Sequence, residues 1–206
     1  MDFITHTLFG TSLARCACRT RGALGQMTSA AVFASLLPDS DSALALLGQD
    51  VYGRYHRVMS HSIVGLIVVV ILAAGLARLV AMPRAWRRFG WFVSDNIPPS
   101  DPVPDLVPLR ALLAMAACGA SAHWVGDWVT GYGNMTPLWP WVERDISLAA
   151  VNSFDPVLFG CTLVCHIVLR QFPQGDRRCW AITASWFAIC TAYVAAKATW
   201  GEAAVW

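Results

Sequence analysis

Apolar residues run through this chain in blocks, and histidines and aspartates gather at the ends of those blocks. The clearest block is residues 62–82, SIVGLIVVVILAAGLARLVAM. As a helix it is long enough to cross a hydrocarbon core about 30 Å thick. Residues 180–200 form a second and 109–130 a third, the latter made less apolar by His123 and Asp127. A fourth, residues 156–172, is short and ends near Arg170. Residues 3–14 and 22–37 are shorter than a comfortable crossing, so the pattern predicts tilted segments or a shallow re-entrant hairpin there. The expected fold is all-α: a polytopic transmembrane helical bundle with about six membrane-embedded segments.

Residues 94–108, SDNIPPSDPVPDLVP, carry five prolines and three aspartates, which excludes continuous helix and predicts an extended linker. It divides one integral-membrane domain, residues 1–206, into halves 1–93 and 109–206. Composition agrees: 56 % of residues are apolar and 14 % charged, against roughly 25 % charged in a soluble domain. The net charge of +2 and the lack of a basic run interleaved with aromatics argue against a nucleic-acid partner. Asp2 stands where a signal peptide would be basic and His6 interrupts its apolar stretch, so the amino terminus is expected to be retained. Of the seven cysteines, Cys118, Cys161, Cys165 and Cys190 lie in apolar segments and read as packing residues. Cys16 and Cys18 form a lone CxC, weak evidence for zinc.

If all six segments cross, eleven arginines fall on one side: Arg15, Arg19, Arg21, Arg78, Arg84, Arg87, Arg88, Arg110, Arg170, Arg177 and Arg178. The other side holds Arg54, Arg57, Arg144 and Lys197. That bias places the first side in the cytoplasm and both termini outside. Trp124, Trp128, Tyr132, Trp139 and Trp141 then form an outer aromatic belt, and Trp86, Trp91 and Trp180 an inner one.

The same threading brings the metal-binding residue types to the outer face. They are His6, Asp39, Asp41, His56, His61, His123, Asp127 and Asp155. Ionisable groups near a bilayer core cost about 2.5–3.5 kcal/mol each on insertion scales, so a cluster of them implies a task. Histidine and carboxylate without cysteine suit zinc, manganese or iron(II). In HWVGD, His123 and Asp127 are four apart and share a helix face, where they can hold a metal or simply pair with each other. Asp39 and Asp41 of PDSD can be aimed at one point by a turn, or one of them can cap the next helix. His56 and His61 of HRVMSH are off-register for one helical face, so His56 is expected in a loop and His61 in the first turn of the long span, with Ser60 as a possible cap. Arg57 between them can clamp a phosphate oxygen or a lipid headgroup. Asp155 before Pro156 resembles a helix cap, and His166, mid-span, reads as structural. The stretch GYGNMTPLWPW has the punctuation of a shaped loop over a site.

Taken in order, HTLFG, LLPDSD, HRVMSHS, HWVGDWVTGYG with a following LWP, and FDP resemble the YdjM-type family of membrane-bound, metal-dependent hydrolases, described as LexA-binding and associated with the inner membrane. The resemblance covers about residues 1–172. It implies that His6, Asp39, Asp41, His56, His61, His123 and Asp127 are the family's polar positions, and that the protein sits in a bacterial inner membrane. A looser similarity is to the all-helical zinc-dependent phospholipase C and single-strand nuclease group, whose second His-x-x-x-Glu helix this chain lacks. Two metals per chain, most simply zinc, are therefore expected rather than three. No HExxH is present, and a lipid-phosphatase reading would need an acid where Gly65 stands.

The reading is a multi-pass, membrane-embedded hydrolase of a lipid or lipid-linked phosphate. His6, Asp39, Asp41, His56, His61, His123 and Asp127 are its metal positions, Asp41 or Asp155 its general base, and Arg57 its phosphate clamp. Its rival is a metal-binding transporter, or a non-enzymatic membrane partner with a structural metal. A transporter should place its ligands near the midplane.

Overall fold

A computed structural model describes residues 2–19, 21–81, 106–130 and 135–199. Helix is the only extended regular structure among them; strand pairing is limited to one isolated bridge between Thr130 and Val151. The expected linker lies mostly outside the described residues, as do Trp86, Trp91 and Tyr132.

Helix α1 (Phe3–Ala17) starts where Asp2 accepts the Thr5 backbone N–H at 2.9 Å. Helix α2 (Arg21–Leu36) follows, and Pro38 then opens a 3-10 helix, Pro38–Leu47, that ends at Gly48 with φ +119°. A short α3 (Gln49–Tyr55) leads into the HRVMSH turn. Helix α4 (Ile63–Val80) is capped by Ser62, whose hydroxyl accepts the Gly65 N–H at 3.0 Å. Ser60, the expected cap, is used elsewhere. A Cβ at Gly65 would collide with the Met59 carbonyl oxygen, so the turn can lie on α4 only because that residue is glycine.

Helix α5 (Leu109–Val129) is the longest near the site. Asp155 caps α6 (Pro156–Leu169), and α7 (Arg177–Thr199) ends the described chain. Between α5 and α6, residues 135–151 fold back on the HRVMSH turn: Ile63 donates to the Pro137 carbonyl at 2.9 Å, and Met135 is fully buried.

Helix α2 packs against α1, α4 and α5. The shared surface is built from small residues: Ala30, Ala31 and Ala34 on α2, Ala73, Ala74 and Ala77 on α4, and Ala116 and Ala120 on α5 are all buried. A Cβ at Gly119 would stand 2.5 Å from the Ala31 carbonyl oxygen, so α5 and α2 touch backbone to backbone. Small residues are how helices approach closely where lipid removes the hydrophobic drive between them. The opposite face of α4 exposes Ile63, Ile67, Val68, Ile71, Leu72 and Leu79, a surface suited to lipid and not to water.

Among the described residues two helices, Ile63–Val80 and Arg177–Thr199, are long and apolar enough to cross a membrane, and a third span results if Ala23–Leu36 and Pro38–Leu47, bent by 43°, count as one. This is fewer than the six expected. Helices α1 and α6, of 15 and 14 residues, reach about 20–23 Å at 1.5 Å per residue, short of the core. Helix α5 is long enough, but its buried face spends Gly119, His123, Gly126 and Asp127 on packing and chemistry instead of hydropathy.

Candidate metal centre

Three elements deliver four side chains to one point. Asp39 comes from the first turn of the 3-10 helix, held at its bend by Pro38. His61 comes from the turn before α4, and His123 and Asp127 from successive turns of α5. One ligand atom from each of the four lies within 4.8 Å of all the others. His61 Nε2 is 3.0 Å from both His123 Nε2 and Asp127 Oδ2. His123 Nε2 is 3.6 Å from Asp39 Oδ1 and from Asp127 Oδ2, and His61 Nε2 is 4.0 Å from Asp39 Oδ1. His61, His123 and Asp127 are wholly buried, while Asp39 is 8 % exposed.

The donor set fits a divalent cation. Carboxylate oxygens only accept and a neutral imidazole donates from one nitrogen, so four facing atoms of this kind have few protons to share. The imidazole nitrogens lie 3.0–4.0 Å from each other and from the carboxylate oxygens, distances that straddle the roughly 3.3 Å edge of a tetrahedron with ligand bonds near 2.0 Å. His123 Nδ1 is buried without a hydrogen-bond partner, so no hydrogen bond on its far side accounts for how the ring is turned. This group could hold a metal ion.

Two neighbours hold the ligands in place. Trp124 Nε1 donates to the His61 carbonyl at 2.8 Å, tying the turn to α5. Trp128 donates to the Ile146 carbonyl, so these two residues of the expected aromatic belt brace the site and its covering loop. Arg57 is buried and places Nη2 3.0 Å from Asp127 Oδ2. Its φ of +64° is costly for a residue with a Cβ, and the backbone holds that conformation where it carries the guanidinium into the cluster.

The other expected site residues stand around or apart from the group of four. His6 packs at a tilt on His123 with ring centroids 4.1 Å apart, and its Nε2 is 3.5 Å from Asp127 Oδ1, beside the group. Asp41 and His56 pair with each other, His56 Nδ1 to Asp41 Oδ1 at 2.7 Å, on the Nδ1 side of His61. Asp155 Oδ1 accepts the Val157 and Leu158 N–H groups at 2.9 and 3.0 Å, and its Oδ2 accepts the Tyr193 hydroxyl at 2.9 Å. It serves as a cap. His166 Nδ1 lies 3.1 Å from the Ser12 hydroxyl. The sequence alone places Trp124 in an aromatic belt, not beside the site. Its spacing of one from His123 was the available signal, since it places the indole on the adjoining face of α5.

The family model of the YdjM inner membrane protein matches residues 1–202. The chain belongs to this family. No curated protein and no solved structure matches it. Family membership and the apolar helices together make this a membrane protein, and the four-residue group is its candidate metal site.

Proposed function

We propose that this YdjM-family protein is a membrane-embedded, metal-dependent hydrolase of the bacterial inner membrane, acting on a lipid or lipid-linked phosphate near the outer face. The observation that carries the reading is the convergence of Asp39, His61, His123 and Asp127 with the Arg57 guanidinium on the same Asp127 oxygen. A divalent metal in that group, zinc being the simplest choice, supplies Lewis acidity toward a phosphoryl oxygen and makes water acidic.

The chain's own residues supply the rest. Arg57 presents a planar fork beside the ligands, the geometry that grips two phosphate oxygens at once. Asp41 and Asp155 already accept hydrogen bonds on both oxygens. Asp39, at 8 % the most exposed of the four, is therefore the carboxylate placed to take a proton from attacking water. The ligands sit at the amino end of α4 and not along its middle, which favours an enzyme at the membrane boundary over a transporter.

All six apolar helices are embedded in this reading, with α1 and α6 short and buttressed by their neighbours. Single cysteines placed near Ser42 and Gly175 and treated with an impermeant reagent in intact cells should label at Ser42 only; labelling at Gly175 alone reverses the orientation. Purified protein should contain divalent metal by elemental analysis and release phosphate or headgroup from lipid phosphoesters. Metal content near one or near two per chain distinguishes a single centre from a pair that also recruits His6. Metal-free protein that hydrolyses these substrates overturns the proposal.

A further inference from the structure

The turn before α4 contains a hydrogen-bond chain whose protons can be counted. Asp41 Oδ2 accepts the Arg57 backbone N–H at 3.0 Å and the Ser60 hydroxyl, while its Oδ1 accepts from His56 Nδ1. The Ser60 oxygen lies 2.9 Å from His61 Nδ1. A hydroxyl has one proton to give, and here it goes to the carboxylate. Ser60 must then accept from His61, so Nδ1 carries a proton and it is the Nε2 lone pair that is left to meet a cation. That lone pair points at Asp127 Oδ2 and His123 Nε2, each 3.0 Å away.

We propose that Asp41 and Ser60 are positioning residues: they hold His61 as its Nδ1–H tautomer so that Nε2 faces the metal group. The inference rests on the proposed metal site but not on hydrolysis. It gives Asp41 a role other than ligand or base. It also explains why the pair Asp41 and His56 stands apart from the group of four, and why the Arg57 backbone is pinned at a positive φ: one carboxylate organises the whole HRVMSH turn.

The experiment is nitrogen-15 NMR of histidine-labelled, metal-free protein in detergent, with the His61 ring assigned by its loss in His61→Gln. The wild type should show His61 protonated at Nδ1. Ser60→Ala should convert it to a tautomer mixture and weaken zinc binding by about 10–100-fold, the usual cost of removing an outer-sphere partner. Ser60→Thr, which keeps the hydroxyl, should restore both. Should Ser60→Ala fail to fold, the wild-type tautomer and the Ser60→Thr rescue decide the matter. A wild-type His61 with Nδ1 bare, or Ser60→Ala with unchanged Nδ1 protonation and affinity, overturns the proposal. Protein that shows the tautomer and binds zinc yet cleaves no phosphoester upholds it and removes only the hydrolase reading.

Discussion

Two polar clusters stand along α1, a buried one around His6 and a half-buried one around Arg15, nine residues apart, or about 14 Å along the helix. At the second, the arginine donates to backbone carbonyls. Arg15 Nε donates to the Leu169 carbonyl at 2.8 Å and Nη2 to the Phe172 carbonyl at 2.7 Å, closing the carboxyl end of α6. His166 meets the Ser12 and Thr11 hydroxyls. At the first, imidazole nitrogens and carboxylate oxygens face each other at 3.0–4.0 Å. The Arg15 cluster is complete with protein atoms alone. The His6 cluster contains the four residues that could hold a cation, and that is the difference between the two polar groups.

The comparison breaks first at Asp127. Asp127→Asn keeps the shape but leaves Arg57 without its buried counter-charge, a loss of about 3–5 kcal/mol for such pairs. Metal content and thermal stability should fall together, and His123→Ala should likewise lose metal. Retention of full metal by both variants would make the cluster an ordinary hydrogen-bonded network.

Arg57 sharpens the contrast within the site. Arg57→Ala should keep the metal while turnover of a phosphoester falls by about 2–4 kcal/mol of transition-state stabilisation. Arg57→Lys should recover little, because a point charge does not reproduce a planar fork. Loss of metal in Arg57→Ala, measured alongside turnover, would make it a support for Asp127 instead of a substrate group.

At the other cluster the effects should be on stability only. Arg15→Ala removes charged hydrogen bonds worth about 1.5–3 kcal/mol and should lower the unfolding midpoint in detergent with metal content unchanged. His166→Ala should cost least, about 1 kcal/mol, again with full metal. Metal loss in either variant would dissolve the distinction between the two clusters.

How far the site was legible varies by residue. The i, i+4 spacing of His123 and Asp127 suffices to put both on one face of α5, and the structure keeps them there. Asp39 and Asp41 were not separable by spacing. The bend at Pro38 makes a 3-10 helix, in which residues two apart diverge by about 120° around the axis. One aspartate therefore joins the group of four and the other turns to His56. His56 and His61 part for a similar reason, since α3 ends at Tyr55 and His61 lies beyond the intervening turn. The short segments read as doubtful crossings from the sequence, and among the described residues two or three spans are long and apolar enough. Helix α5 is long enough to span, but the buried His123 and Asp127 lower its hydropathy.

The sequence by itself determined that the chain is helical, membrane-bound and furnished with histidines and aspartates at its helix ends, because block length, composition and residue type act locally. Only the tertiary structure decided which carboxylate faces which imidazole, that Arg57 reaches Asp127, and that Asp41 serves the turn. Those outcomes depend on contacts between residues 15 to 88 positions apart, as in Asp41 with His56 and Asp39 with Asp127. Close packing of alanine and glycine faces sets them, and no local spacing records how closely two helices approach.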